Sequence, residues 1–157
     1  MIKALHLDDR LIHGQVAIAW TRALDVNVLF VVNDQIVNDQ SRRNALKLGV
    51  PAGVKFGFRN VEDGIAFLND PKNANLRFMV LINNTRDALR ICQGIPSIKK
   101  ISVGGIRKKD PLLLPDMNLN AEDVTDLKQL VELGVTIGYQ PTPDQPYKVL
   151  NEAINKL

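Results

Sequence analysis

The segment DDRLIHGQV, residues 8–16, holds the residues best suited to chemistry. His13 lies directly before a predicted helix start, with Gly14 after it and Arg10 three residues before it. A helix N-terminus favours an anion because its first N–H groups are unpaired and its dipole end is positive, and glycine lets the backbone approach closely. The planar guanidinium of Arg10 suits phosphate oxygens. Because neutral imidazole is a nucleophile near neutral pH, the spacing indicates a histidine beside a preformed anion site.

Alternative roles for these residues follow from the same spacing. A loop histidine such as His13 often only forms hydrogen bonds or caps a helix. Asp8 and Asp9 could act as a carboxylate pair, but a metal site needs further ligands, and His6 is not at metal-binding spacing. We therefore expect one acid to bond the loop or to orient a histidine or arginine. His6 alternates with apolar neighbours on a predicted strand, so we expect it to be structural.

Two later loops carry polar or glycine pairs directly after predicted strands. Asn33 and Asp34 follow the run VLFVV and are expected to line the same cleft, although such residues also form turns. Gly104 and Gly105 could approach a phosphate through their N–H groups or simply make a tight turn. This pair is too short for a nucleotide-binding loop. The predicted cleft is completed by Gln15, which follows Gly14 in the first segment.

The elements that position these loops alternate between strand and helix. Runs such as VLFVV and FMVLI are apolar on both faces, as buried parallel strands are. Strands are predicted at residues 2–7, 26–32, 54–58, 78–82, 101–103 and 135–139. Helices are predicted at residues 14–24, 39–48, 61–68, 85–93, 121–133 and 147–157. The segment 108–120 breaks this rhythm and is predicted to be a loop with a short extra strand at 117–119.

This alternation predicts an α/β fold in a single domain over residues 1–157, with a mostly parallel twisted sheet of six to seven strands and helices on both faces. Ligand sites on such sheets lie beyond the carboxyl ends of the strands. The search for a site therefore concentrates on the loops at 8–13, 33–38, 83–86, 104–110 and 140–146.

Composition narrows the class of protein. With 45% apolar and 24% charged residues, the chain has the balance of a soluble globular protein. A net charge of +3 and 5% aromatic residues argue against a nucleic-acid binder. The single cysteine, Cys92, forms no intrachain disulfide and is expected to pack within a helix. No stretch reaches the roughly 18 apolar residues of a membrane span, and the first residues lack the apolar segment of a signal peptide.

The runs HLDDRLIHGQVAIAW and VVNDQIVNDQSRR resemble the IIB component of the mannose–sorbose family of the bacterial sugar phosphotransferase system. The similarity continues through GVKFGFRNVEDGIAFL, VGGI and LKQLVELGVTIGYQPTPD, and so spans nearly the whole chain. In that family the histidine of RLIHGQ carries a phosphoryl group, which by this match is His13. The matching arginine, Arg10, is thought to help hold that group. The resemblance also suggests Nδ1 as the phosphorylated nitrogen.

The resemblance implies partners as well as residues. A phosphorylated IIA protein or domain would donate to His13, and a membrane permease of IIC and IID subunits would present the sugar that accepts the group. The residues require no metal and no organic cofactor, and no nucleic-acid partner or direct membrane insertion is expected. The chain would lie in the cytoplasm, held at the inner face of the membrane through the permease.

Two positions depart from the family pattern. The family commonly has arginine where this chain has His6, and asparagine where it has Ser102. These changes leave the histidine motif intact, so they bear on substrate and partner preference more than on mechanism. The rival functions are a non-catalytic α/β module that binds a phosphorylated ligand or nucleotide at the same cleft, and a regulatory paralogue that is phosphorylated without serving transport.

Overall fold

The computed structural model describes residues 1–157 and contains nine strands. They are β1 (Ile2–Asp8), β2 (Val28–Val32), β3 (Lys55–Arg59), β4 (Phe78–Ile82), β5 (Lys100–Gly105), β6 (Leu112–Leu114), β7 (Met117–Asn118), β8 (Thr136–Tyr139) and β9 (Lys148–Val149). Seven strands form one sheet in the order β3-β2-β4-β1-β5-β8-β9, and β6 and β7 form a separate hairpin. All pairs in the large sheet are parallel except β8 with β9. The predicted mostly parallel α/β sheet is confirmed.

The chain has six α-helices, of which the first five connect strands and the sixth follows the last strand. They are α1 (Gly14–Ala23), α2 (Gln40–Lys47), α3 (Val61–Asn69), α4 (Thr85–Gly94), α5 (Ala121–Glu132) and α6 (Asn151–Asn155). Asn60 and Asn120 cap α3 and α5 through their side chains, and each cap is followed by acids in the first turn, which favour the positive end of the helix. None of the helices has the length and apolar character needed to cross a bilayer.

The core consists of two apolar clusters that alternate along the strands, as expected for the two faces of a sheet. On β4, Val80 belongs to the larger cluster with α4 and α5, whereas Met79 belongs to the smaller one with α1. Trp20 of α1 packs in the smaller cluster. Cys92 of α4 packs in the larger cluster, where burial raises the pKa of its thiol to about 12.

The structure differs from the predicted elements near the C-terminus. The predicted helix at 147–157 is wrong at its start, because Lys148–Val149 forms an antiparallel edge strand and the helix begins only at Asn151. Tyr147 explains the difference, since its hydroxyl donates to the carbonyl oxygen of Ile101 at 2.8 Å and holds the chain across the sheet. The loop at 108–120 contains two strands, of which only β7 was predicted.

Candidate functional site

The loop between β1 and α1 lies at the carboxyl edge of the sheet, where β1 is flanked by β4 and β5. Asp8 ends β1 and is 1% exposed. The loop turns sharply after it, with the Leu11 N–H donating to the Asp8 carbonyl oxygen at 2.9 Å and Leu11 itself at φ +58°. His13 then occupies the N-cap position of α1, as predicted. This tight turn brings the His13 ring back over Asp8.

The Asp8 carboxylate is the centre of the site. One oxygen, Oδ2, lies 3.2 Å from His13 Nε2 and 3.2 Å from Arg10 Nη2. The other, Oδ1, accepts from the Arg10 backbone N–H at 2.9 Å, from Arg10 Nε at 3.2 Å and from Arg107 Nη1 at 3.1 Å. Burial alone would raise the pKa of Asp8, but the hydrogen bonds from His13 and Arg10 outweigh it and hold that pKa well below its usual range.

The contact with Asp8 settles which nitrogen of neutral His13 carries the proton. An ionised carboxylate only accepts hydrogen bonds, so His13 Nε2 must donate. The Nδ1 atom then carries the lone pair, and it has no partner in the protein and is not buried. Gly14 follows at φ +47°, and no atom lies within 4 Å of where its Cβ would be. The space beside the first turn of α1 is therefore open.

The N-terminus of α1 has no capping side chain. By contrast, α3, α4 and α5 each begin at an asparagine whose side chain accepts from the third backbone N–H of the helix. The first N–H groups of α1 consequently remain free to bind an anion. Gln15 lies in this turn with an exposed side chain that forms no hydrogen bond. The site therefore combines a free nitrogen lone pair, free N–H groups and a nearby guanidinium.

Arg107 also belongs to the site, although no local sequence motif predicted it there. Its Nη1 donates to Asp9 Oδ1 at 2.6 Å as well as to Asp8, and its backbone N–H donates to Asp9 Oδ2 at 2.6 Å. Burial would lower the pKa of Arg107, but the two carboxylates raise it overall. The available signal was its place in the loop at 104–110, two residues after the glycine pair.

The glycine pair leaves room for these side chains. A Cβ on Gly104 would overlap the Asp8 carboxylate, and one on Gly105 would lie 2.6 Å from Arg107 Nη2. Gly105 also adopts φ +152°, which side chains disfavour. Close packing against Asp8 and Arg107 is thus the observed role of the pair. A contact between its N–H groups and a phosphate stays a prediction.

Asn33 and Asp34 form a second polar cluster at the ends of β2 and β4. Asn33 Oδ1 accepts from the backbone N–H groups of residues 35 and 36, and its Nδ2 donates to Asn83 at 2.9 Å. Asp34 accepts from the Val61 N–H at 2.8 Å and pairs with Arg90 at 2.8 Å. Neither residue hydrogen-bonds to the group around Asp8. Their observed contacts brace loops and a helix start.

His6 is buried inside the sheet, as expected of a structural residue. It is 1% exposed, and its Nδ1 lies 2.6 Å from Ser102 Oγ. Burial lowers the pKa of His6 to about 4, and the nearby Asp8 carboxylate opposes this effect only in part. At neutral pH the ring is therefore uncharged. His6 is not a candidate for accepting a group from a partner, because its ring is buried.

Comparison with known proteins identifies the family of the chain. Residues 2–157 match the family model described as the sorbose subfamily IIB component of the phosphotransferase system. A probable phosphotransferase enzyme IIB component from Streptococcus pyogenes is 37% identical over 140 residues, which is 85% of this chain and 86% of that protein. The mannose-specific EIIAB component of Escherichia coli is 30% identical over all of this chain but only 49% of its own length.

A solved structure extends the similarity to three dimensions. The IIB domain of the sorbose permease from Klebsiella pneumoniae superposes with a TM-score of 0.91 at 26% identity, covering 99% of this chain and 97% of that one. Its α/β architecture is therefore shared over nearly the whole length of both chains.

Proposed function

Because the chain belongs to the sorbose subfamily of IIB components of the sugar phosphotransferase system, we propose that His13 is the residue that carries its phosphoryl group. Members of this family are phosphocarriers in sugar uptake, and they work with IIA and IIC/IID partners of the same system. The observation that supports His13 is its hydrogen bond to Asp8 through Nε2, which leaves Nδ1 unprotonated and accessible.

The reaction has two halves, in which the phosphoryl group first forms a nitrogen–phosphorus bond to His13 and then an oxygen–phosphorus bond to the sugar. The lone pair of His13 Nδ1 attacks the phosphorus of a phosphorylated IIA protein or domain, and the bond from phosphorus to the donor breaks as the new bond forms. The proton on His13 Nε2 stays in its bond to Asp8, whose negative charge balances the cationic ring that forms. In the second half of the reaction a sugar hydroxyl attacks phosphorus and releases its proton to solvent. The bond from phosphorus to Nδ1 breaks, and its electron pair returns to Nδ1, so His13 is again neutral with its proton on Nε2.

The surrounding groups stabilise the phosphoryl oxygens during both steps. Arg10 and Arg107 have side chains that are 46% and 38% exposed, so part of each guanidinium can turn to the incoming group. The free N–H groups of α1 offer further donors. Catalysis of phosphoryl transfer depends mostly on such positioning and charge stabilisation. Asp9 holds Arg107, and Gly14 opens the approach. These residues use no metal or organic cofactor.

The proposal extends to the setting of the protein. Residues 1–157 act as one phosphocarrier domain in the cytoplasm, which reaches the inner face of the membrane by binding a IIC/IID permease. The permease chooses the sugar. The Escherichia coli relative named as an EIIAB component supports a IIA donor, because that name joins IIA and IIB in one protein.

The first prediction is that His13→Ala abolishes phosphoryl acceptance while leaving the fold intact, since the side chain is partly exposed and forms one hydrogen bond, to Asp8. The variant and wild type are incubated with phosphorylated IIA protein, and the mass increase is measured. Nitrogen-15 and phosphorus-31 NMR of the wild type then shows phosphate on Nδ1. Phosphate retained on His13→Ala, or an Nε2 isomer, would contradict the proposed site.

Phosphorylation assays also distinguish the proposed function from the two rival functions. A module that only binds a phosphorylated ligand shows no covalent, acid-labile phosphate. A regulatory paralogue is phosphorylated, but it passes no phosphate to sugar when membranes containing the IIC/IID permease are added.

A further inference from the structure

Two buried polar side chains below Asp8 are not used by the transfer. His6 on β1 and Ser102 on β5 lie side by side in the parallel pairing of these strands. Their hydrogen bond joins His6 Nδ1 and Ser102 Oγ at 2.6 Å. The other ring nitrogen of His6, Nε2, is buried and has no hydrogen-bond partner. A buried polar atom without a partner is costly, so its surroundings call for an explanation.

The free nitrogen of His6 lies close to the Asp8 carboxylate. Both His6 Nε2 and Asp8 Oδ2 lie within 3.0 Å of the point that a Cβ on Gly104 would occupy. The two atoms are therefore no more than about 6 Å apart, the range over which a charge acts strongly on a neighbour. The charged or titratable groups that act on His6 are Asp8, His13 and Arg10. Asp8 alone of these is an anion.

The position of Asp8 selects one tautomer of His6. If Ser102 donates to His6 Nδ1, the ring proton lies on Nε2. The positive end of the Nε2–H dipole is then near the Asp8 carboxylate. In the other tautomer, a nitrogen lone pair would be near the carboxylate instead, in a buried region where such repulsion is poorly screened. The His6 ring cannot rotate towards solvent to avoid this repulsion, because it packs against Trp20 with ring centroids 5.1 Å apart.

We infer that Ser102 and His6 are positioning residues that hold the Asp8 carboxylate in place for His13. The inference rests on the proposed function of His13. The Ser102 hydroxyl donates to His6 Nδ1, the His6 Nε2–H group stabilises Asp8, and Asp8 accepts from His13 Nε2–H. These interactions together keep the proton of His13 on Nε2 and the lone pair on Nδ1. No proton moves between these residues during transfer.

The first test reads the tautomers of both histidines directly. Long-range nitrogen-15 NMR of the unphosphorylated wild type near neutral pH is expected to show protons on Nε2 of both His6 and His13. In Ser102→Ala the His6 ring loses the donor to its Nδ1, so its population shifts towards mixed tautomers, and Ser102→Thr restores the wild-type tautomers because it keeps the hydroxyl. Thr21→Val, which removes a buried hydroxyl that bonds within α1, leaves them unchanged. A proton on His6 Nδ1 in the wild type would overturn the inference.

The second test measures transfer from phosphorylated IIA protein. His6→Phe removes both nitrogens and is expected to slow phosphorylation of His13 roughly two- to thirtyfold, the usual size of coupling through a neighbouring residue. His6→Gln recovers most of the rate, because its amide can place an N–H near the position of Nε2. Equal rates in His6→Phe and wild type, with both proteins folded by circular dichroism, would overturn the inference.

The two proposals fail in different ways. If the wild type accepts no phosphate on His13, the proposed function fails while the tautomer measurement still reports on His6. If phosphate is found on His13 but neither variant changes tautomers or rate, only the positioning role of Ser102 and His6 fails.

Discussion

The buried carboxylate of Asp8 accepts hydrogen bonds from three residues, which come from two different segments of the chain. His13 and Arg10 come from the same loop, whereas Arg107 comes from a segment 99 residues away. Removing Asp8 would leave these three side chains without their shared acceptor. Removing one arginine leaves the acid still paired, so arginine variants test catalysis with less risk to the fold.

Substitution of either arginine is therefore expected to slow phosphoryl transfer. Arg10→Ala and Arg107→Ala each remove one charge-assisted contact, worth about 1.5–3 kcal/mol in the transition state, or roughly ten- to a hundredfold in rate. Lysine at either position keeps only part of the activity, because it lacks the planar fork. Quench-flow measurement with phosphorylated IIA protein gives the rates.

An exposed arginine on α2 serves as the control for these variants. Arg42→Ala lies outside the site and is expected to leave the transfer rate unchanged. An unchanged rate in Arg107→Ala as well would show that Arg107 only braces the loop against Asp9.

The buried His6 makes stability depend on pH. In the unfolded chain a histidine has a pKa near 6.5, whereas the folded ring has a pKa of about 4 because of burial. Between these values the unfolded state binds more protons, so the free energy of unfolding falls as pH falls from about 6.5 to about 4, by about 3 kcal/mol. Urea unfolding across this range measures the slope. We expect His6→Gln to flatten it, and an unchanged slope in that variant would assign the effect to other groups.

Among the elements, β5 contributes to the site because Gly104 has no side chain and so leaves room for the Asp8 carboxylate. Gly104→Ala is expected to displace the Asp8 carboxylate and to slow phosphorylation of His13 roughly tenfold or more, because the new Cβ would overlap that carboxylate. Gly53→Ala is the matched control, since Gly53 has φ +83° and no atom within 4 Å of its Cβ position. It costs about 1–2 kcal/mol in backbone strain and leaves transfer unchanged. A normal transfer rate in a folded Gly104→Ala protein would contradict the packing role.

The elements that were predicted correctly have strong local signals. The buried runs at β2 and β4 and the asparagine caps of α3 and α5 are readable from neighbouring residues alone. The strand β9 has only two residues, and its pairing depends on how Tyr147 packs against β5 and β8. Periodicity carries no information on such a contact, so the segment was predicted to be helical.

In the site too, residues within one loop could be predicted from the sequence, whereas contacts between distant segments could not. The motif around His13 predicted the order of histidine, arginine and helix start, because all lie within one loop. Arg107 reaches Asp9 across 98 residues of sequence, and that contact follows only from the neighbouring positions of β1 and β5 in the sheet. The proximity of Asn33 to Asn83 likewise depends on the pairing of β2 with β4.

At the scale of the whole molecule, one sheet is shared by both apolar clusters, so the two faces are expected to unfold together. Trp20 is the single tryptophan and reports on the smaller cluster, whereas Ile91 lies in the larger one on α4. Ile91→Val should cost about 0.5–1.5 kcal/mol and lower the urea midpoint seen by Trp20 fluorescence and by circular dichroism equally. A shift in only one of the two signals would show that the faces unfold independently.

The burial of Cys92 makes its thiol unreactive towards oxidants around the protein. The thiolate is the form that reacts with peroxides, disulfides and alkylating agents, and a thiol whose pKa is about 12 supplies almost none of it at neutral pH. The same packing within α4 keeps large reagents out, since the residue is 4% exposed. Cys92 is the only cysteine of the chain, so oxidation of a cysteine thiol is not expected to inactivate phosphoryl transfer by this protein.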